Sequence, residues 1–176
     1  MWSPAPAASF NPSNGPLYAE GMRFVDARSD SPDARRMLAE YFSARELSFT
    51  GGTYRVSTPD PEVFVPPAGA FVLVEDDDGA VVGCGGVRRL PDDERGPRFE
   101  VKHLWLRPGT RGRGWGRALL AELESRAVDL GAATIVLDTN ATLAAAGSLY
   151  RSSGYVSVPP YNDNPNANLW LRKVLA

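Results

Sequence analysis

The residues best suited to chemistry lie in one run, Arg111-Gly112-Arg113-Gly114-Trp115-Gly116-Arg117. Alternating glycines let a backbone approach a ligand closely and turn its N–H groups toward it. Apolar residues then recur at helical spacing (Leu119, Leu120, Leu123, Ala127, Leu130), and Gly131 is a natural stop. A helix starting here aims the positive end of its dipole at the loop, and the arginines add full charges. The combination suits a phosphorylated anion. Upstream, Phe99, Val101, Leu104, Trp105 and Leu106 are strand formers, and Arg107-Pro108-Gly109 ends the strand. The unit is therefore strand, glycine loop, helix.

Three loops of this architecture compete. An ATPase-type phosphate loop ends in Gly-Lys-Ser/Thr, and no such tripeptide occurs. A dinucleotide loop needs Gly-x-Gly-x-x-Gly. Counted from Gly112, its third glycine slot holds Arg117, although Asp138 sits where a ribose-binding acid would be, so an oxidoreductase stays open as an alternative. The third pattern, Arg/Gln-x-x-Gly-x-Gly/Ala, is met by Arg111, Gly114 and Gly116.

Composition narrows the partners. The chain has 176 residues, one domain's worth, and 43% are hydrophobic. A net charge of −2 argues against a nucleic-acid-binding domain, so the arginines around residue 111 need a local reason. One cysteine (Cys84) and one histidine (His103) leave no internal disulfide and make a metal site unexpected. The lone thiol fits a reducing compartment, and no apolar run is of membrane-spanning length. With no charged start and apolar stretch at the N-terminus, the expectation is a cytoplasmic protein without membrane or nucleic-acid partners.

The elements that must position the loop follow in order. Residues 1–20, rich in Pro, Ala, Ser and Asn, read as a flexible tail, and 21–176 as one domain. Met22–Asp26 reads as a strand. Asp30-Ser31-Pro32 opens a helix through Leu47. Residues 48–69 form a long connection, with one helical turn near Pro61–Phe64, suited to a substrate-specific lip. Ala70–Glu75 and Ala80–Arg89 form a hairpin, whose Gly83, Gly85 and Gly86 mark a bulge or close packing. After the strand at 98–106 and the loop–helix unit come a strand at 133–137, a helix over 141–152 capped by Asn140, and strands at 155–158 and 169–175. This order predicts an α/β (α+β) fold. Its mixed, mostly antiparallel sheet of six to seven strands has flanking helices and one β–α–β crossover.

The stretch 98–158 resembles the GNAT superfamily of acyl-CoA-dependent N-acetyltransferases, and the likeness extends over most of 22–175. Arg111-x-x-Gly114-x-Gly116 matches its pyrophosphate loop. Glu100 stands eleven positions before Arg111, where several members place a catalytic glutamate. Asn140 matches an asparagine after the next strand, and Leu149-Tyr150-x-x-x-Gly154-Tyr155 matches a helix-end tyrosine motif. The resemblance implies acetyl-CoA as acyl-donor co-substrate, no metal, an amine acceptor, and a splayed strand pair forming the acyl-CoA cleft. It leaves room for a homodimer.

Acyl transfer to an amine needs a free amine, a stabilised oxyanion and a protonated leaving thiolate. On this reading Glu100 accepts the amine's proton and Tyr150 assists the thiolate. The edge at Leu104, Trp105 and Leu106 offers backbone N–H groups to the pantetheine arm, and Asn140 touches it. The pyrophosphate is expected on Arg111, Gly112, Arg113, Gly114, Trp115, Gly116 and Arg117. Strand alternation puts Glu100, Lys102, Leu104 and Leu106 on one face unless a bulge intervenes, and His103 on the other. Cys84 reads as core. Asp138, Tyr161, Asn162, Asp163 and Asn164 are weaker candidates near the acceptor. A CoA-binding module without catalysis is the rival reading, one that would need neither Glu100 nor Tyr150.

Overall fold

The computed structural model describes residues 20–175. Except for Glu20, the expected tail lies outside the described residues. Seven strands form one sheet: β1 (Met22–Asp26), β2 (Gly69–Asp76), β3 (Val81–Asp93), β4 (Gly96–Leu106), β5 (Thr134–Thr139), β6 (Val156–Val158) and β7 (Leu169–Val174). Their order is β1-β2-β3-β4-β5-β7-β6, and all neighbours are antiparallel except β4 and β5. The helices are α1 (Pro32–Ser48), α2 (Trp115–Asp129) and α3 (Ala144–Ser152), with 3-10 turns at Pro61–Phe64 and Pro108–Thr110. The predicted mixed α/β architecture is the one observed.

Each face of the sheet has its own core. On one side α2 presents Trp115, Leu119, Leu123 and Ala127, a stripe at every fourth residue, all buried against Val72, Val87, Phe99 and Ile135. On the other, Ala34, Met37 and Leu38 of α1 meet Phe64, Phe71, Leu73 and Cys84. Ser31 caps α1 by accepting from the Ala34 N–H, with Pro32 in the first turn, as expected. Arg107, just past β4, donates twice to Glu40 (2.9 and 2.6 Å) and so ties α1 to the end of β4.

Close packing explains the glycine-rich β3. A Cβ at Gly86 would stand 2.7 Å from Phe64, and one at Gly83 2.6 Å from the Trp105 carbonyl. A bulge lies here too. His103 and Leu104 of β4 occupy the space opposite the single residue Gly85, and His103 takes φ 56°. It changes the phase of β4. Phe99, Val101, Leu104 and Leu106 all pack toward α2, while Glu100, Lys102 and Trp105 face the α1 side. Simple alternation, which groups Glu100 with Leu104 and Leu106, therefore fails beyond Lys102. His103 stays on the α1 side, edge-on to Tyr41 and Phe42 at 5.3 and 5.5 Å.

Candidate active site

β4 and β5 pair only from Arg98↔Thr134 to Glu100↔Val136. Beyond Glu100 they diverge, because the bulge turns β4 away while β5 continues along β7 to Thr139. The divergence leaves a cleft of about 370 Å³. Its floor is Val101–Leu104 and Leu137–Asn140. One wall is the end of α1 (Tyr41–Phe49) with Tyr54 and Arg55, and the other is Tyr150 with Asn162–Ala167. Leu104, Asn140 and Tyr150 are thus brought together.

Tyr150 is 5% exposed, packs edge-on against Tyr155 at 5.9 Å, and its hydroxyl makes no hydrogen bond to the described residues. Burial pushes this phenol up to about 12, despite the opposing charge of Arg45. Asn140 does not cap α3, which begins at Ala144 behind an uncapped Leu143. Its carboxamide oxygen instead accepts from the Thr142 N–H and hydroxyl (3.0 and 2.8 Å), closing a turn ahead of the helix.

The glycine loop does not line this cleft; its end packs on α3, the helix that carries Tyr150. Arg111, Gly112, Arg113, Gly114 and Arg117 are exposed. Gly112 and Gly114 take φ 79° and 75°, which a side chain resists, and Gly114 starts α2 without a side-chain cap. Gly116 abuts the cleft's neighbours: a Cβ there would meet Leu149 at 3.7 Å and Leu106 at 4.0 Å. Those are ordinary contacts, so the fold itself does not demand glycine at 116. The Trp115 side chain is core, 1% exposed, with its indole N–H on the Glu20 carbonyl (3.3 Å), so only its backbone N–H faces the loop. Arg113 lies over that ring at 5.1 Å, and Arg117 donates to Ser152 of α3. Trp105 and Leu106 pack on opposite faces at the end of β4.

Glu100 is wholly buried, and its two oxygens are fully subscribed. One accepts from Arg88 Nε and Nη2 (2.8 and 2.6 Å), the other from the Tyr161 hydroxyl (2.9 Å), with Lys102 Nζ at 3.2 Å. Asp138, in contrast, lines the cleft and accepts from Lys102 (2.8 Å), Asn162 (2.7 Å) and Asn164 (3.1 Å). A carboxylate offers about four lone-pair sites, so Glu100 has none left and Asp138 has one. Burial alone would raise the Asp138 carboxyl, but the Lys102 charge and the three hydrogen bonds outweigh it and hold it below the usual range. His103 stays neutral: burial, helped by Lys102 and Arg88, lowers it to about 3. Burial pushes the Cys84 thiol up, so it is inert core.

A carboxyl lowered by folding adds stability that is complete above about pH 4 and lost as pH falls through its lowered value. In urea titrations the gap between wild type and Asp138→Asn should be widest near pH 7 and shrink steadily below pH 4. A gap that does not change with pH would mean that the Lys102 pairing contributes nothing.

The sequence reading passed over several cleft residues. Arg55 is clasped through both backbone groups by Asn166 (3.0 and 2.7 Å), which docks the irregular 48–60 segment against the 159–168 loop. The alternation Asn162-x-Asn164-x-Asn166 was the available signal. Arg45, Arg88 and Tyr41 left none, because they reach the cleft from distant segments.

This arrangement, a splayed β4/β5 pair beside a glycine-initiated helix, is that of an acyl-CoA N-acyltransferase. A model of the acetyltransferase (GNAT) family matches residues 32–155. An N-acetyltransferase of Schizosaccharomyces pombe is 32% identical over 148 residues, 82% of this chain and 88% of that protein. An IAA acetyltransferase of Azospirillum brasilense is 34% identical over 106 residues, 58% of this chain and 67% of the relative. A GNAT superfamily phosphinothricin acetyltransferase of Sinorhizobium meliloti, solved in complex with acetyl-CoA, shares the fold with TM-score 0.66 at 20% identity, over 88% of this chain and 89% of that one. The chain belongs to the GNAT acetyltransferase family and is an enzyme of that class. The dinucleotide alternative falls with this assignment. Among the described residues no cluster of His, Cys, Asp or Glu is arranged to hold a metal, and no helix is long and apolar enough to cross a membrane.

Proposed function

We propose that the protein transfers an acetyl group from acetyl-CoA to a primary amine by direct attack in a ternary complex. The observation that carries this is the cleft itself. It opens where β4 leaves β5 and is lined by Tyr150 of α3, whose hydroxyl has no partner among the described residues; α3 in turn packs against the uncapped start of α2 through Leu149 and Ser152. The donor's pyrophosphate rests on N–H groups of 112–117, with Arg111 and Arg113 beside it. A glycine at 116 that packing does not require supports a ligand at that turn. The pantetheine arm runs along the unpaired edge of β4 at Leu104–Leu106 and past Asn140.

In the reaction the amine nitrogen attacks the thioester carbonyl. A C–N bond forms, the C–S bond breaks, and CoA leaves as a thiolate that takes up one proton. Starting from the ammonium, the nitrogen loses two protons: one before attack, to make the free amine, and one after it, which balances the proton the thiolate takes up. Glu100 is ill-placed to receive either directly, since all its lone pairs are engaged. We assign Glu100 to positioning Arg88 and Lys102, and give the ammonium to the open site of Asp138, from which its proton passes to water. A carboxylate held so low anchors a cation better than it accepts a proton.

Calorimetry with acetyl-CoA, followed by thiol release on adding amines, tests the reading. Saturable one-to-one binding and amine-dependent thiol release are expected. No binding at millimolar acetyl-CoA would remove the donor, and binding without thiol release would favour a non-catalytic CoA-binding module.

A further inference from the structure

The charges lining the cleft bear on which amine it accepts, given the acyl-transfer reading above. Four cations line it, Arg45, Arg55, Arg88 and Lys102, against one carboxylate, Asp138. Two of the four are already matched: Arg88 by Glu100, and Lys102 by Glu100 and Asp138. Arg45 and Arg55 have no acidic partner among the described residues.

Both are held where they are. Arg45, in the last turn of α1, stacks on Tyr41 (5.2 Å), and its charge is felt at the Tyr54 and Tyr150 hydroxyls. It therefore faces the cleft and does more than complement the helix dipole. Arg55 is fixed at the rim by its two backbone bonds to Asn166, and its guanidinium has no acidic partner among the described residues. The cleft thus offers one carboxylate with a spare acceptor site, Asp138, and two guanidinium groups without an acidic partner among the described residues, Arg45 and Arg55. Tyr41, Phe42, Phe49 and Tyr54 form its aromatic wall.

We propose that the acceptor is a small amino-acid-like molecule, a primary amine that also carries a carboxylate. Its ammonium meets Asp138, and its carboxylate meets Arg45 and Arg55. Two unmatched guanidinium groups repel a polyamine or other polycation. A cleft of about 370 Å³, shared with the acetyl group, suits a small molecule.

The test compares amino acids with their own carboxamides, with 1,4-diaminobutane as a cationic control, at saturating acetyl-CoA. The carboxamide's amine is less basic and is free in larger fraction at neutral pH, so basicity works against the expected preference. For at least one pair, kcat/KM should favour the acid by about tenfold, the size of one charge-assisted contact. Arg45→Gln and Arg55→Gln should each bring that ratio toward one, and Arg55→Gln should matter less at high salt. Ratios at or below one throughout, a preference for the diamine, or a ratio indifferent to both variants would overturn the proposal. So would acetyl-CoA binding with no transfer to any acid. Failure of acetyl-CoA to bind at all would instead remove the donor reading and this one with it.

Discussion

Glu100→Gln should lower stability by about 3 kcal/mol, which in a domain of this size is roughly 6–12 °C in melting temperature. Removing one partner of a buried ion pair costs about 3–5 kcal/mol, because the other charge is left without compensation. The low end applies, since Arg88 is 33% exposed and can turn toward water. Lys102, at 18%, keeps Asp138 as a second partner. The amide of Gln must also point its N–H₂ either at Arg88 or at Lys102, which are donors only. The effect on rate separates positioning from proton transfer. A Glu100 that only holds Arg88 and Lys102 in the cleft gives a loss of kcat/KM that is the same at every pH. A Glu100 that takes the amine's proton gives a loss that deepens as pH falls and the free amine becomes scarce. We expect the uniform loss together with the drop in melting temperature. A variant that melts within 2 °C of wild type but loses its rate selectively at low pH would restore Glu100 as the base.

What could be read from the chain was local. The strand-loop-helix of 98–130 is contiguous, and its glycines carry the backbone requirement in their own identity: φ is positive at 112 and 114. The cap at Ser31 and the 3-10 turn at Pro61–Phe64 were legible for the same reason. The reading went astray where a remote contact decides. The bulge at His103–Leu104 answers to packing against β3, so the faces assigned beyond Lys102 were reversed. Asn140 has the side chain of a helix cap, yet Asn168 takes the Ala141 N–H (2.7 Å) and the helix starts further on. The cleft is assembled from α1, the 54–59 loop, β4, β5, α3 and the asparagine loop, a set of distances that no local pattern encodes. Glu100 looked like a candidate base from its spacing alone. Arg88, its partner on the neighbouring strand β3, is visible only through the register.

Tyr150→Phe should lower kcat by about 10–100-fold while acetyl-CoA affinity stays within about twofold. The buried phenol, raised to about 12, remains an O–H donor across the whole working range. Full transfer of its proton to a thiolate whose thiol has pKa near 8.5 would be uphill by about 3.5 units, or about 5 kcal/mol. Its role is therefore a charge-assisted hydrogen bond to sulfur as the C–S bond breaks. Such a bond is worth about 1.5–3 kcal/mol, which sets the size of the rate loss. The interaction strengthens as negative charge builds on sulfur, so it belongs to the transition state and appears in kcat before it appears in binding. Phenylalanine keeps the ring against Tyr155 and removes a hydroxyl with no partner among the described residues, so the melting temperature should hold. For the same reason the wild-type rate should show no alkaline fall below pH 10 attributable to this phenol. Stopped-flow thiol release in both forms, beside calorimetry for the donor, gives the comparison. A Phe variant with wild-type turnover would make Tyr150 a packing residue and leave departure of the thiolate to water in the cleft.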